Sequence, residues 1–179
     1  RARSLGSVWN DAYIAAQEKM RGGAVAECTL DAPLRFLSEI DRLKSIDRAT
    51  LISDGSRREN SAEHSWHLAL MALVLAPAAD VSVGKVVQML LLHDVVEVDA
   101  GDTPIFGQYD PAQLAERESA AADRIFGLLP EPIRQNMRAI WDEFEANRTP
   151  DAKLAKSLDR FQPPLMNLKT GGGSWVEYN

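Results

Sequence analysis

From Val83 to Val98 the chain reads "VGKVVQMLLLHDVVEV", and no other run constrains the fold as tightly. It lacks the apolar/polar alternation of a half-buried strand. Taken as a helix, it points Leu90, Leu91, Leu92, Val95 and Val96 around most of its circumference, the pattern of a central, buried helix. Yet His93, Asp94 and Glu97 stand inside this run, and Asp99 and Asp102 follow it. A charge buried without compensation is strongly unfavourable, so such groups must be paired, protonated or bound to metal.

Helical periodicity extends over nearly the whole chain. Helices are predicted over about 7–21, ending at Gly22-Gly23, and over about 32–46, with Phe36, Leu37, Ile40 and Leu43 on one face. Asn60, with Glu63 three residues on, has capping-box spacing and starts a helix that runs to about 76. Ser82 caps the helix that ends near Asp99, ahead of Gly101. Further helices span about 111–128, follow Pro132, and begin at Thr149-Pro150 as N-cap and first position. "DRATLISDGSRRE" (47–59) reads as a polar connection turning at Asp54-Gly55, and no strand is predicted. Pro163-Pro164 is expected to break the last helix, and "TGGGS" (170–174) to form a flexible link or turn. The expected fold is all-α: a single globular domain over 1–179 with about six or seven helices and its core at about 34–168.

With 179 residues, 45% hydrophobic and 26% charged, the composition is that of a globular domain with a real core. A net charge of −6 argues against a broad nucleic-acid or anionic-membrane surface, while leaving room for a small basic pocket. The single cysteine, Cys28, makes no internal disulfide and fits a reducing compartment; the expected setting is cytoplasmic, and no secretory leader is read. The longest apolar run, "LALMALVLAPAA" (68–79), is too short to cross a bilayer.

Imidazole and carboxylate together suit borderline divalent metals such as Zn, Mn, Co or Fe. Adjacent helical residues diverge by about 100°, yet the long imidazole of His93 and the short carboxylate of Asp94 can meet at the helix shoulder. A His-Asp dipeptide alone says little, and a lone buried His is more often a hydrogen-bonded core residue. Here His64 opens an earlier helix in "RRENSAEHSW", and Asp159 lies on a late one in "AKSLDRF".

The ordered set His64, His93-Asp94 and Asp159 resembles the HD-domain metal-dependent phosphohydrolases, whose pattern is H…HD…D. "DRLKSIDR" (41–48), "ENSAEHSW" (59–66), "HDVVEVDAGDTP" (93–104) and "SLDRFQP" (157–163) resemble the small branch that includes 5'-deoxynucleotidases. The resemblance implies one divalent ion (Mn, Co, Zn, Fe or Mg) held by His64, His93, Asp94 and Asp159. It implies Glu97 as the catalytic carboxylate, Asp102 as a second catalytic residue that also holds substrate or the site loop, and Arg48 against the substrate phosphate. The activity it implies is hydrolysis of a small phosphomonoester, first a nucleoside 5'-monophosphate, by metal-activated water, in a homodimer. Ala49, on the substrate side, departs from the branch, which carries a Trp after the Arg to select deoxyribose.

Two alternatives stand beside this reading: an HD hydrolase of another phosphate ester or signalling nucleotide, and a metal-stabilised binding protein without turnover. Binuclear cyclic-nucleotide diesterases use extra His ligands, which a chain with three His disfavours. Neither a nucleic-acid polymer nor a membrane is an expected partner. His67 can face the same site, but the matching pattern uses only the first His. Arg57 and Arg58 read either as positive charge near the pocket or as solvated loop residues, and Asp99 and Asp110 as solvated or turn residues. Trp9, Trp66 and Trp141 read as core or interface aromatics, and Trp175, beyond the glycine run, has no assigned place.

Overall fold

The computed structural model describes residues 30–76, 80–103, 107 and 109–178; the predicted helix at 7–21, Trp9 and Cys28 lie outside the described residues. Helix α1 (Asp31–Ile40) passes through a 3-10 turn (Asp41–Ser45) into β1 (Asp47–Leu51) and β2 (Arg58–Asn60). Then come α2 (Ser61–Leu75), α3 (Val83–Leu92), a 3-10 turn (His93–Val96) and α4 (Glu97–Ala100). Helices α5 (Pro111–Phe126), α6 (Ile133–Ala146), α7 (Pro150–Lys169) and α8 (Ser174–Glu177) complete the order. The fold is all-α, carrying one small ribbon.

Local chemistry explains the starts. The Asn60 side chain accepts from Glu63 N at 2.9 Å and the Glu63 carboxylate accepts from Asn60 N at 3.1 Å, so the predicted capping box forms. Thr149 Oγ1 accepts from Ala152 N with Pro150 at the first position of α7, as expected. Asp110 caps α5 through Ala112 N. Ser82 holds the N-cap position of α3 without a side-chain cap bond.

Two apolar clusters form the core. One gathers Phe36, Leu43, Val95, Val96, Val98, Ile125, Phe126 and Trp141; the other gathers Leu68, Met71, Met89, Leu90, Ile140, Phe144 and Leu158. Leu92 packs against both, so the segment 83–100 crosses from one cluster to the other at His93-Asp94. The α-helix gives way to a 3-10 turn at that crossing. Trp141, buried as predicted, donates its indole N–H to the His93 carbonyl there, at 3.2 Å.

Three sequence expectations are corrected. The segment 47–59 is a two-stranded antiparallel ribbon, with Asp47 opposite Asn60, Leu51 opposite Arg58 and a register shift between them. The turn at Asp54-Gly55 is where it was expected, with Gly55 at φ 72° and Ser56 N donating to Asp54 Oδ1. β2 is only three residues long, too short for a period-two signal. Secondly, α7 runs through Pro163 and Pro164 instead of breaking. Each interior proline costs about 3 kcal/mol or more, but Leu158, Gln162, Met166 and Asn167 are buried on both sides and hold the helix together. Finally, the central segment is not buried all round: Leu91 is 47% exposed. Among the described residues, no helix is long and apolar enough to cross a membrane.

Candidate metal centre

The site assembles at the crossing. Two backbone devices aim His64 and His93. The capping box fixes the start of α2, so His64 sits in the first turn and is fully buried. His93 Nδ1 donates to the Leu90 carbonyl at 2.9 Å; because a carbonyl only accepts, Nδ1 carries the proton and Nε2 carries the lone pair in the neutral ring. That Nε2 lies 2.9 Å from Asp94 Oδ1 and 3.7 Å from Asp159 Oδ1, so the neighbouring His and Asp do converge. Asp159, reaching in from α7, lies 3.0 Å from His64 Nε2.

Ligand atoms of His64, His93 and Asp94 all fall within 4.8 Å of one another, and all three residues are buried. The fourth expected residue, Asp159, touches both imidazoles. Neutral imidazole nitrogens and carboxylate oxygens are the donor set that Zn, Mn, Co or Fe takes. His93 Nε2, the ring nitrogen that carries the lone pair, is buried without a hydrogen-bond partner of good geometry. These residues fit a divalent ion.

Charge supports the same fit. Arg48, on β1, is enclosed by carboxylates: Nη1 donates to Asp94 Oδ2 at 2.9 Å and lies 3.5 Å from Asp102 and 3.6 Å from Glu97, while Nε is 3.7 Å from Glu59. With Asp159, five carboxylates face one guanidinium and two imidazoles. Burial and the neighbouring Asp94 charge push Glu97 up to about 8, against the opposing pull of Arg48 and Ser61. Burial also raises Asp102. Asp94 goes the other way: burial acts to raise it, but the charges of His93 and Arg48 bring it down to about 2. Burial acts to lower His93, and Asp94 and Asp159 outweigh it, pushing the ring up to about 10. Burial acts to raise Asp159, and the two imidazoles beside it, His64 and His93, outweigh that and hold it well below the usual carboxylate range. The carboxylates crowd one another where a dication would relieve them.

Glu97 is clamped at both oxygens. Ser61 Oγ donates to Oε2 at 2.5 Å, and Oε1 faces Arg48. Sequence reasoning missed Ser61, the first residue of α2, and it missed Glu59. Glu59 is 4% exposed, and its carboxylate lies 3.4 Å from His64 Nδ1 and accepts from Gln162 Nε2 at 2.8 Å. A carboxylate behind a metal-facing imidazole is the arrangement that fixes its tautomer and orientation. The unpredicted ribbon delivers both Arg48 and Glu59, so the missed strand and the missed residue are one omission.

Other residues fall outside the cluster. His67 Nδ1 is 3.3 Å from Gln162 Nε2 and does not join the metal-facing group. Arg57 forks onto Glu63, Arg58 pairs with Glu177, and Asp99 pairs with Arg124. Trp66 is 61% exposed. A cavity of about 540 Å³ opens beside the cluster, lined by Arg48, Ala49, His93, Asp94, Glu97, Asp102 and Asp159 together with Tyr109, Lys156, Arg160 and Trp175.

Comparison with known proteins agrees with this geometry. The model of the HD domain matches residues 40–179. A solved structure of a predicted metal-dependent phosphohydrolase from Magnetospirillum magnetotacticum MS-1 is 52% identical, with TM-score 0.78 over 83% of this chain and 77% of that one. A 5'-deoxynucleotidase of Danio rerio is 29% identical over 136 residues, covering 74% of this chain and 66% of the relative. One from Erwinia tasmaniensis is 29% identical over 153 residues, covering 79% and 77%. The chain thus spans slightly under two thirds of the Danio rerio relative's length. A match to half the chain or more, on residues that build this cluster, settles the family: the chain belongs to the HD-domain family.

Proposed function

We propose that the chain is a metal-dependent phosphomonoesterase acting on a nucleoside 5'-monophosphate, with one divalent ion held by His64, His93, Asp94 and Asp159. The observation that carries this reading is the convergence of these four side chains, three of which (His93, Asp94 and Asp159) line one cavity together with Arg48. Its similarity to 5'-deoxynucleotidases supports the substrate class. When bound, Mn, Co, Zn, Fe or Mg would supply Lewis acidity and lower the pKa of a water.

The chain's own residues do the rest. Glu97, held by Ser61 and Arg48, is the group that takes the proton of the attacking water and can return one to the leaving oxygen. The approaches of Arg48 to these four carboxylates are made through Nη1 and Nε, and this reading turns the remaining edge of the guanidinium toward the phosphate. Asp102, just after Gly101 at φ 74°, steadies Arg48 from the site loop and contacts the substrate. Ala49 borders the sugar.

The finer expectations belong to the same proposal: one domain over the whole chain, a homodimer and a cytoplasmic setting. Trp66, Leu70, Leu73 and Val74 form an exposed apolar stripe on α2 that supports self-association.

The test is phosphate release by protein reconstituted in turn with each of the five metals. The panel contains nucleoside 5'- and 3'-monophosphates, sugar phosphates and cyclic nucleotides. Turnover concentrated on the 5'-monophosphates is expected. Turnover only of another ester, or binding without turnover, selects one of the alternatives.

A further inference from the structure

The segment after α7 closes one side of the same cavity. Gly171, Gly172 and Gly173 adopt φ of 69°, 114° and 45°, a left-handed run that only glycine makes readily. The chain therefore reverses and returns α8 to β1. A Cβ at Gly173 would stand 2.5 Å from Asn167 Oδ1 and 2.7 Å from Thr170 Oγ1, so the reversal is closely packed.

Both ends of α8 are anchored. Asn167, 1% exposed on α7, donates to Ser174 Oγ at 3.0 Å and accepts from Ser174 N at 3.2 Å. At the other end Arg58 donates to the Ala49 carbonyl at 2.9 Å and to Glu177 at 2.5 Å, tying α8 to the strand residue that borders the pocket. Between these anchors stands Trp175, 37% exposed, lining the cavity that also reaches Asp94 and Asp159. The cavity is thus polar at the metal-facing cluster, whereas Trp175, Pro163, Pro164 and Tyr109 supply apolar surface to its wall.

We propose that Trp175 is the specificity-determining contact of this pocket: its indole is the face on which the nucleobase of a bound nucleoside monophosphate stacks. This rests on the phosphohydrolase reading, and it adds a recognition element for the part of the substrate remote from the phosphate. Every base has a π-face, so an aromatic wall selects for a base without strongly choosing among bases.

The experiment uses metal-loaded wild type, Trp175→Ala and Trp175→Phe, assayed on dAMP, dCMP and 2-deoxyribose 5-phosphate, with calorimetric binding of each compound in parallel. Stacking on an aromatic side chain predicts a rise of about ten- to a hundredfold in KM and Kd for both nucleotides in Trp175→Ala, with a much smaller change in kcat. The loss on the base-free sugar phosphate is expected to be at least tenfold smaller, and Trp175→Phe is expected to recover most of the nucleotide affinity. Equal losses on all three compounds, or unchanged nucleotide binding, overturn the proposal and leave the phosphatase reading standing. Wild type that releases phosphate from none of them overturns that reading instead, and the calorimetric arm still decides whether Trp175 holds a base.

Discussion

Asp159 Oδ1 lies 3.0 Å from His64 Nε2, joining residues 95 positions apart. The contact links α7 to the first turn of α2, and His93 Nε2 is 3.7 Å from the same oxygen and 2.9 Å from Asp94 Oδ1, so one carboxylate faces both imidazoles. A carboxylate shared by two buried imidazoles is a strained arrangement unless protons or a metal ion share the charge. Its consequences can be measured.

Glu59→Gln removes the charge behind His64 while keeping the shape that Gln162 packs against. Partners behind a metal ligand typically contribute about 10–100-fold in metal affinity. A weakening of that size is expected in a competition titration with a fluorescent chelator. An unchanged affinity would reduce Glu59 to a partner of Arg48 and Gln162.

Glu97→Ala is expected to keep its metal and lose about 10²–10⁴-fold in kcat, the usual range for a general acid–base group. Glu97→Ala protein that is metal-replete and still turns over at the wild-type rate contradicts the role. Loss of the metal would make Glu97 a ligand.

Metal and protons compete for His93. Its pKa rises from the ordinary 6.5 to about 10 in the metal-free fold. A raised histidine stabilises that fold fully below 6.5, and the contribution is lost as pH rises through about 10. Metal needs the neutral ring, so binding releases a proton and affinity climbs with pH across this window, by about tenfold per unit for each proton displaced. Calorimetry in buffers of different ionisation enthalpy measures the release; pH-independent affinity with no proton released contradicts it.

Much of this centre is legible in the sequence because it rests on spacing. The capping box at Asn60 and Glu63, the HD pair inside an apolar helix and Asp159 on a late helix each leave a local mark. Glu59 and the ribbon leave none: a strand reading "REN" has no period to detect, and a carboxylate beside an N-cap resembles any surface acid. Trp175 was unreadable for another reason, because only the left-handed glycine run and the Asn167 anchor bring it back to the cavity. Pro163 and Pro164 misled, because tertiary burial of their neighbours outweighs a local preference that acts over one turn.

Ala49 lines the cavity without bulk, so under the proposed function a ribose 2'-OH is expected to find room beside it. kcat/KM for AMP and dAMP should differ by less than about tenfold in wild type, with discrimination appearing in Ala49→Trp. A deoxyribose preference of about 10²-fold or more in wild type, equivalent to about 2.7 kcal/mol, would assign that selection to another wall of the pocket.

The most direct measurement is the metal content and coordination of the purified protein, by elemental analysis and X-ray absorption, in wild type and in His64→Ala, His93→Ala, Asp94→Ala and Asp159→Ala. Wild type is expected to hold one divalent ion per chain with imidazole nitrogen and carboxylate oxygen at about 2.0–2.2 Å for zinc, and each substitution to remove or severely weaken it. A wild-type protein that binds no ion under metal-replete conditions, or variants that all retain it with unchanged coordination, would contradict the assignment of these four side chains.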